Sequence, residues 1–492
     1  MNGVNFVYEP VRLFIENDFV ASQNDEVLEV RSPATGKVVG EAALGSAADI
    51  DRALAAARTA FDTGPWPRMS YEERQGVIRR AGELLASRTD ELSELVTSQN
   101  GTVIRSRQGD CTSLFDYYAT LSEFAEDHRH LLAMDALVVR EPMGVVGAIV
   151  PWNVPMRLSL GKILPALLAG CTVILKPAPE TPLHDARIAE ALAAAGLPSG
   201  VLSVIPADRE VSELLVSHPD IDMISFTGST AAGRRIGAIC GEKVRPVLLE
   251  LGGKSAAIVL DDVDLSTQGS LILNDGVLNN NGEACVAWSR ILVPRHRHDE
   301  IVESLVETMR NTSVGDPLDP LTDVGPLVSE RQRDRVEGFI RSGVDEGAVI
   351  AFGGGRPKGL ESGWYVEPTL FVEATNSMQM CREEIFGPVA TVIPYDDEKE
   401  AIRIANDSNY GLAGAVITPD IDRGVAIARQ IRTGTVGINT MGMDRGAPFG
   451  GYKDSGVGRA HGPEGFAQYL QIKTIGLPID KGARAANGAD IR

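Results

Sequence analysis

Cysteine is scarce in this chain of 492 residues: Cys111, Cys171, Cys240, Cys285 and Cys381 are all there are. They are odd in number and scattered, with no C-x-x-C pair, so neither a disulfide framework nor a zinc site is expected. A reducing compartment, the cytoplasm, fits that usage. The seven histidines form two close pairs, His128/His130 and His296/His298. Both pairs lie among charged residues and read as solvated surface, so no metal site is expected. Long apolar runs are missing too, none approaching the ~20 residues that span a bilayer. The first residues, Met1–Asn5, lack a basic stretch followed by an apolar core, which argues against a secretory leader. Basic residues are in deficit, 47 against 67 acidic, for a net charge of −20. Such a surface stays soluble and repels phosphate backbones and anionic lipid, so nucleic acid and membranes are not expected partners.

What is present is ordinary for a soluble globular protein: 43% hydrophobic and 23% charged residues. The length suits about three domains. Between Val145 and Leu260, short apolar runs alternate with helical patterns. Val145–Val150, Thr172–Leu175, Val201–Ile205, Met223–Phe226, Val247–Leu251 and Ala256–Leu260 read as buried strands, and Arg157–Ala169, His184–Ala195, Glu210–Ser217 and Ala231–Cys240 as helices. Thr181-Pro182 is read as an N-cap and helix-starting proline, with Gly196 and Pro198 as the stop. This alternation predicts an α/β fold with a parallel sheet covered on both faces. A second block follows, with strands at Ile291–Val293, Val389–Ile393, Ala413–Ile417 and Val436–Ile438 and helices at Asp396–Asn406 and Ile421–Ile431. Residues 49–98 read as helical, broken at Trp66-Pro67, and the tail after Lys481 has no apolar periodicity.

Chemistry gathers around Cys285, in Asn279-Asn280-Asn281-Gly282-Glu283-Ala284-Cys285. A free thiol has a pKa of about 8.5 and is mostly protonated at neutral pH, so a nucleophilic cysteine needs a base and an oxyanion donor. Glu250, in Glu250-Leu251-Gly252-Gly253-Lys254, is a candidate base. Asn153, in Pro151-Trp152-Asn153-Val154-Pro155, is held between two prolines just beyond a strand. It reads either as a capping residue in a rigid loop or as the amide that, with the Cys285 N–H, binds an oxyanion. Phe226-Thr227-Gly228-Ser229-Thr230 joins a strand to a helix, and such a turn can aim N–H groups at a phosphate or simply cap the helix. Lys176 closes a strand where open α/β sheets bind ligands, or is plain surface.

In order along the chain, Pro151–Pro155, Lys176-Pro177-Ala178, Phe226–Thr230, Glu250–Ser255, Gly282–Cys285 with Ser289-Arg290, Glu383-Glu384-Ile385-Phe386-Gly387-Pro388 and Pro448–Lys453 form a collinear set. By these seven motifs the chain resembles the aldehyde dehydrogenase superfamily, from roughly Phe14 to Leu477, and most of all its broad-specificity NAD(P)-dependent bacterial branch. The resemblance implies a Rossmann-like parallel-sheet cofactor domain (1–122 and 142–252), an α/β catalytic domain (253–453), and a small β oligomerisation element with a tail (123–141 and 454–492). It implies that Cys285 attacks an aldehyde, that Asn153 holds the oxyanion, and that Glu250 activates water against the thioester after hydride has passed to nicotinamide. The cofactor, NAD with NADP left open, would contact Val150, Pro151, Trp152, Lys176, Pro179, Gly228, Ser229, Glu250, Leu251, Gly252, Glu384 and Phe386. Lys176 and Glu384 match the positions that bind ribose hydroxyls, Phe386 the position beside the nicotinamide, and Gly228 and Ser229 the pyrophosphate turn.

Four positions depart from the family pattern. Glu283 replaces the usual Gln and brings a carboxylate near the thiol, either as an opposing charge or paired, for example with Arg290. Pro179 stands where NAD-preferring members often carry a ribose-binding glutamate. Asn279 replaces a tunnel aromatic, and Trp288 a common glycine. Two rivals are set against hydrolytic oxidation: a CoA-acylating enzyme, which typically lacks the equivalent of Glu250, and a structural homologue without activity, which need not retain Cys285, Glu250 and Asn153. A cofactor-free thiol hydrolase would need a histidine partner, and none falls in these motifs. Arg157 and Arg445 are read as two guanidinium groups at the tunnel mouth, either clamping an anionic substrate end or pairing with acidic neighbours such as Asp444. A hairpin near Leu131–Glu141 and a last strand near Lys473–Leu477 would leave sheet edges open in a monomer, so a homodimer or homotetramer is expected.

Overall fold

The computed structural model describes residues 8–118, 120–121, 128–131, 135–442, 444 and 446–478. Two mixed α/β sheets, a three-stranded antiparallel sheet and a two-stranded ribbon carry its strands. The first sheet has a parallel centre: Val247–Glu250, Met223–Thr227, Val145–Ile149, Thr172–Lys176 and Leu202–Val204 lie side by side in that order. These are five of the six strands read from the first apolar block. Val145–Ile149 and Thr172–Lys176 are buried along their whole length, because helices cover both faces. Ala47–Asp62, Arg209–Ser217 and Thr230–Glu242 pack on one side, and Tyr71–Ala86, Pro155–Ala169 and Asp185–Ala194 on the other.

The sheet is not purely parallel. Leu13–Ile15 pairs antiparallel with Leu202–Val204, Asp18–Val20 extends that edge, and Gly456–Val457 closes the other edge antiparallel to Val247–Glu250. These edge strands arrive from distant parts of the chain without a crossover helix, so nothing imposes the parallel direction on them. A second correction concerns Thr181-Pro182. The helix starts at Asp185 with His184 as its N-cap: the Leu183 amide that a Thr181 cap would bind is taken by Gln99 Oε1 at 3.1 Å, and the Thr181 hydroxyl caps nothing. The break at Trp66-Pro67 is real: Ala47–Asp62 ends before it, and a short 3-10 turn at Trp66–Arg68 leads to Tyr71–Ala86. Trp66 is buried there, its Nε1 donating to the Leu167 carbonyl at 3.2 Å.

The second sheet runs Val349–Phe352, Thr369–Val372, Val389–Tyr395, Arg290–Pro294, Ala256–Val259, Ala413–Ile417 and Thr435–Ile438, parallel except at the first pair. Ala256–Val259, grouped by its apolar run with the first block, sits at the centre of this sheet. The chain therefore passes from one sheet to the other between Glu250 and Ala256, across the motif that carries Glu250. Leu470–Gly476 pairs antiparallel with Asp135–Pro142, which pairs with His128–Leu131. The outer strand is largely exposed, Ile472 by 70%. The tail after Lys481 lies outside the described residues. Among the described residues no helix is long and apolar enough to cross a membrane.

Candidate active site

Neighbouring parallel strands of the first sheet end at one rim, and each delivers a candidate residue, as open α/β sheets do at their carboxyl ends. Glu250 ends Val247–Glu250, and its carbonyl accepts the Gly228 amide at 3.0 Å. Asn153 lies in the loop after Val145–Ile149, and Lys176 ends Thr172–Lys176. Cys285 comes from the opposite side, between a 3-10 turn at Asn279–Gly282 and the strand Arg290–Pro294 of the second sheet. Gly253 closes the gap: a Cβ there would lie 2.3 Å from the Cys285 carbonyl oxygen. Only a residue without a side chain lets the two segments approach so closely.

The Cys285 thiol packs with Ala284, Val286, Leu412, Met441 and Phe449. Burial, then the carboxylates of Glu384 and Glu250, push it up to about 12. It is a thiol at rest, and its proton has to leave during attack. Glu250 is 5% exposed, and among the described residues neither carboxylate oxygen makes a hydrogen bond of good geometry, although the Ala460 amide lies close enough to act on it. Burial raises its pKa well above the usual carboxylate range, opposed by the charges of Lys162 and Arg459. Lys162, itself buried and lowered by desolvation, donates from Nζ to Ser225 Oγ at 3.2 Å, and Ser225 Oγ lies 3.0 Å from the Tyr469 hydroxyl. A carboxyl whose pKa is raised toward neutrality is matched to accept a proton from water near neutral pH.

Asn153 is 5% exposed and held firmly. Its Nδ2 donates to the Glu283 carbonyl at 3.0 Å, and its own carbonyl accepts Asn100 Nδ2 at 3.1 Å and Asn280 Nδ2 at 2.9 Å. One amide hydrogen does the anchoring, and the NH₂ group carries a second. Gln108 completes the network, donating from Nε2 to Asn280 Oδ1 at 2.8 Å. Asn280 and Asn281 are both left-handed, φ 53° and 59°, a conformation asparagine tolerates better than most residues. Asn100, Gln108, Asn280 and Asn281 escape a motif reading of the sequence. Only the run Asn279-Asn280-Asn281-Gly282 hinted at a turn of this kind.

Two departures resolve differently from their sequence readings. Glu283 does not pair with Arg290. The Arg290 guanidinium is occupied by the carbonyls of Lys254, Ile404 and Ala405 and by Asn376 Oδ1. Glu283 Oε1 instead accepts the Val328 amide at 3.1 Å, and burial raises its pKa well above the ordinary carboxylate range, disfavouring the charged form. Trp288 is fully buried, its ring against Gly276, where a Cβ would come within 2.2 Å. It belongs to the core under the π-helical turn Leu271–Val277. Asn279 is exposed. Arg157 stands in the first turn of Pro155–Ala169, where its charge acts on Asp110. Arg445 lies outside the described residues.

The residues named for a dinucleotide line one cradle. Ser229 caps Thr230–Glu242, its side chain accepting the Ala232 amide, so the turn with Gly228 opens the helix N-terminus. A Cβ on Gly228 would lie 2.5 Å from the Phe226 ring. Lys176 is 8% exposed, lowered to about 8 by burial, and makes no hydrogen bond or ion pair among the described residues. The Val150 amide donates to its carbonyl at 3.2 Å, which joins the Pro151 loop to the Lys176 strand, and Pro179 lies partly exposed beyond it. Leu251 packs on Gly233. Glu384, raised to about 7 by burial, accepts the Gly253 amide at 3.0 Å and covers Gly252, where a Cβ would lie 2.5 Å from its Oε2. Phe386, at φ 65°, sets its ring edge-on to Trp152, centroids 5.3 Å apart.

Residues 19–475 match the model of the aldehyde dehydrogenase family. A geranial dehydrogenase from Castellaniella defragrans is 44% identical over 472 residues, which cover 94% of this chain and 98% of the relative. A 3-succinoylsemialdehyde-pyridine dehydrogenase from a Pseudomonas species is 40% identical over 467 residues, 94% and 97% of the two chains. The crystal structure of a Mycobacterium tuberculosis aldehyde dehydrogenase complexed with NAD+ superposes with a TM-score of 0.93 at 48% identity, covering 96% of this chain and 99% of that one.

Proposed function

Because the chain belongs to the aldehyde dehydrogenase family, we propose that it oxidises an aldehyde to the carboxylic acid through a thioester on Cys285, with Glu250 as the base for hydrolysis. The observation that carries this reading is the meeting of three groups at one rim. They are a thiol that keeps its proton at rest, an anchored amide with a spare hydrogen, and a buried carboxyl whose pKa is raised. The Cys285 thiol gives its proton to solvent as Sγ bonds to the carbonyl carbon, and the oxyanion that forms is held by Asn153 Nδ2 and the Cys285 amide. A nicotinamide dinucleotide, when bound, supplies the acceptor for the hydride that turns the thiohemiacetal into a thioester. Lys176, the Gly228-Ser229 turn and Glu384 hold that cofactor, and Trp152 with Phe386 walls its reactive end. Glu250 then takes a proton from water as the water attacks the thioester, the acid departs, and the thiol is restored.

Glu250 also favours hydrolysis over acyl transfer to CoA, and the joint presence of Cys285, Asn153 and Glu250 opposes an inactive homologue. NAD is the proposed cofactor. Pro179, with no carboxylate to repel a 2′-phosphate, leaves NADP admissible. Residues 1–122 with 142–252 are assigned to the cofactor domain, 253–453 to the catalytic domain, and 123–141 with 454–492 to assembly of a homo-oligomer, apart from Gly456–Val457, which completes the first sheet. All five cysteines are free, which supports a cytoplasmic site of action. The deciding experiment is Cys285→Ala. Oxidation of a panel of aldehydes, followed by NADH formation, should vanish while NAD+ binding by fluorescence quenching is kept. Turnover above a few per cent would remove Cys285 from the nucleophile's role.

A further inference from the structure

Glu283 stands two residues before Cys285 and is 1% exposed. Its side chain and its backbone do different things. Oε1 accepts the Val328 amide at 3.1 Å, while the carbonyl accepts two side-chain amides, Asn153 Nδ2 and Asn280 Nδ2, both at 3.0 Å. On the reaction assigned to Cys285 and Asn153, we propose that Glu283 is a positioning residue: its side chain, anchored on Val328, sets the carbonyl that orients the oxyanion-binding amide of Asn153.

The loop needs such an anchor. It passes through two consecutive left-handed residues, Asn280 and Asn281, and then Gly282 at φ 75°. Left-handed backbone is disfavoured for a residue with a side chain, less so for asparagine, and two such residues in succession persist only where their surroundings hold them. Asn281 ties the loop to the segment before Glu330–Asp345, donating to the Pro326 carbonyl at 3.0 Å and accepting the Gly325 amide at 2.7 Å. Glu283 makes the next attachment to that segment, at Val328, and is the one nearer the nucleophile. With the attachment lost, the Glu283 carbonyl is free to rotate, and Asn153 loses the acceptor that directs its NH₂. The anchor is one oxygen accepting one backbone N–H, a role that needs no charge on the carboxyl. A glutamine side chain offers the same oxygen to the same N–H.

The experiment compares Glu283→Gln, Glu283→Leu, Asn153→Ala and the double variant Glu283→Leu/Asn153→Ala in steady-state oxidation of one aldehyde. Asn153→Ala should cost about 10²–10³ in kcat, the usual loss for one oxyanion donor. Glu283→Gln should stay within twofold of the parent. Glu283→Leu should lose at least tenfold in kcat, with KM for NAD+ and aldehyde within about twofold, and the double variant should be no slower than Asn153→Ala within about twofold. A Glu283→Leu enzyme with parental kcat, or a loss that multiplies fully with that of Asn153→Ala, overturns the positioning role. If Glu283→Leu does not fold, Glu283→Met takes its place, and a tenfold loss in folded Glu283→Gln overturns the role by itself. Should Asn153→Ala keep parental kcat, it is the assigned reaction that fails, a result separable from the others.

Discussion

The side-chain amide of Asn281 donates to the carbonyl of Gly101 at 2.9 Å, across 180 residues of sequence. Gly101 is the left-handed residue, φ 82°, that ends the helix Thr89–Asn100. The Cys285 loop is thereby fastened to the end of that helix as well as to the Gly325-Pro326 segment. The same helix end supplies Asn100 to the carbonyl of Asn153, so one junction holds both the Cys285 loop and the Asn153 loop.

Asn281→Ala should therefore destabilise the protein out of proportion to its size. It strands the buried carbonyls of Gly101 and Pro326 and the Gly325 amide, and an unsatisfied buried group costs about 1–3 kcal/mol. A fall in the urea midpoint together with reduced kcat is expected. An unchanged midpoint would mean that water replaces the amide at no cost.

Glu250→Gln should permit attack and hydride transfer but stall hydrolysis. A burst of about one NADH per site followed by slow turnover is the expected trace. In the parent enzyme the carboxyl, raised above its ordinary range by burial, must be ionised to act. The hydrolytic rate should therefore climb about tenfold per pH unit below the raised pKa and level off above it. Stopped-flow across pH checks both, and a parental steady-state rate in Glu250→Gln would exclude it as the base.

Glu283 carries a stability signature. Its folded pKa is raised above the ordinary 4.5, so above pH 4.5 the unfolded chain releases a proton that the folded chain keeps. Stability then falls as pH rises, by up to about 1.4 kcal/mol per unit, until the folded pKa is reached. Below pH 4.5 the penalty is absent. Glu283→Gln has no proton to keep, so its Tm advantage over the parent should grow from pH 5 to pH 8. A difference in Tm that does not change with pH would show that the carboxyl ionises normally.

Among the described residues no strand pairs with the outer edge of Leu470–Gly476, and Ile472 and Ile475 are exposed on its two faces. Unpaired apolar edges invite a partner strand, and a second copy of the chain is the proposed one. Light scattering at micromolar concentration should give a dimer or tetramer mass, and Ile472→Lys should lower it. A monomeric mass for the parent would refute assembly through this edge.

By itself the sequence determined the parts whose cause is local or carried by a motif. Apolar runs of strand length with helical spacings between them announced the five central strands of the first sheet. The Trp66-Pro67 dipeptide marked a helix break, and the collinear motifs placed Cys285, Glu250 and Asn153 in their segments. Tertiary structure alone decided how those segments meet. Antiparallel edges arose from strands at residues 13 and 456, because pairing partners far apart in sequence leave no local pattern. Gln99 overrode the cap signal at Thr181-Pro182 from 84 residues away. The partner of Glu283 turned out to be a backbone amide, invisible in a residue string because every non-proline residue has one. Arg290, the side chain that charge alone would choose, was already filled by carbonyls. The protonation of Glu250, Glu283 and Cys285 follows the same rule, since it is set by burial, a property of the packed chain.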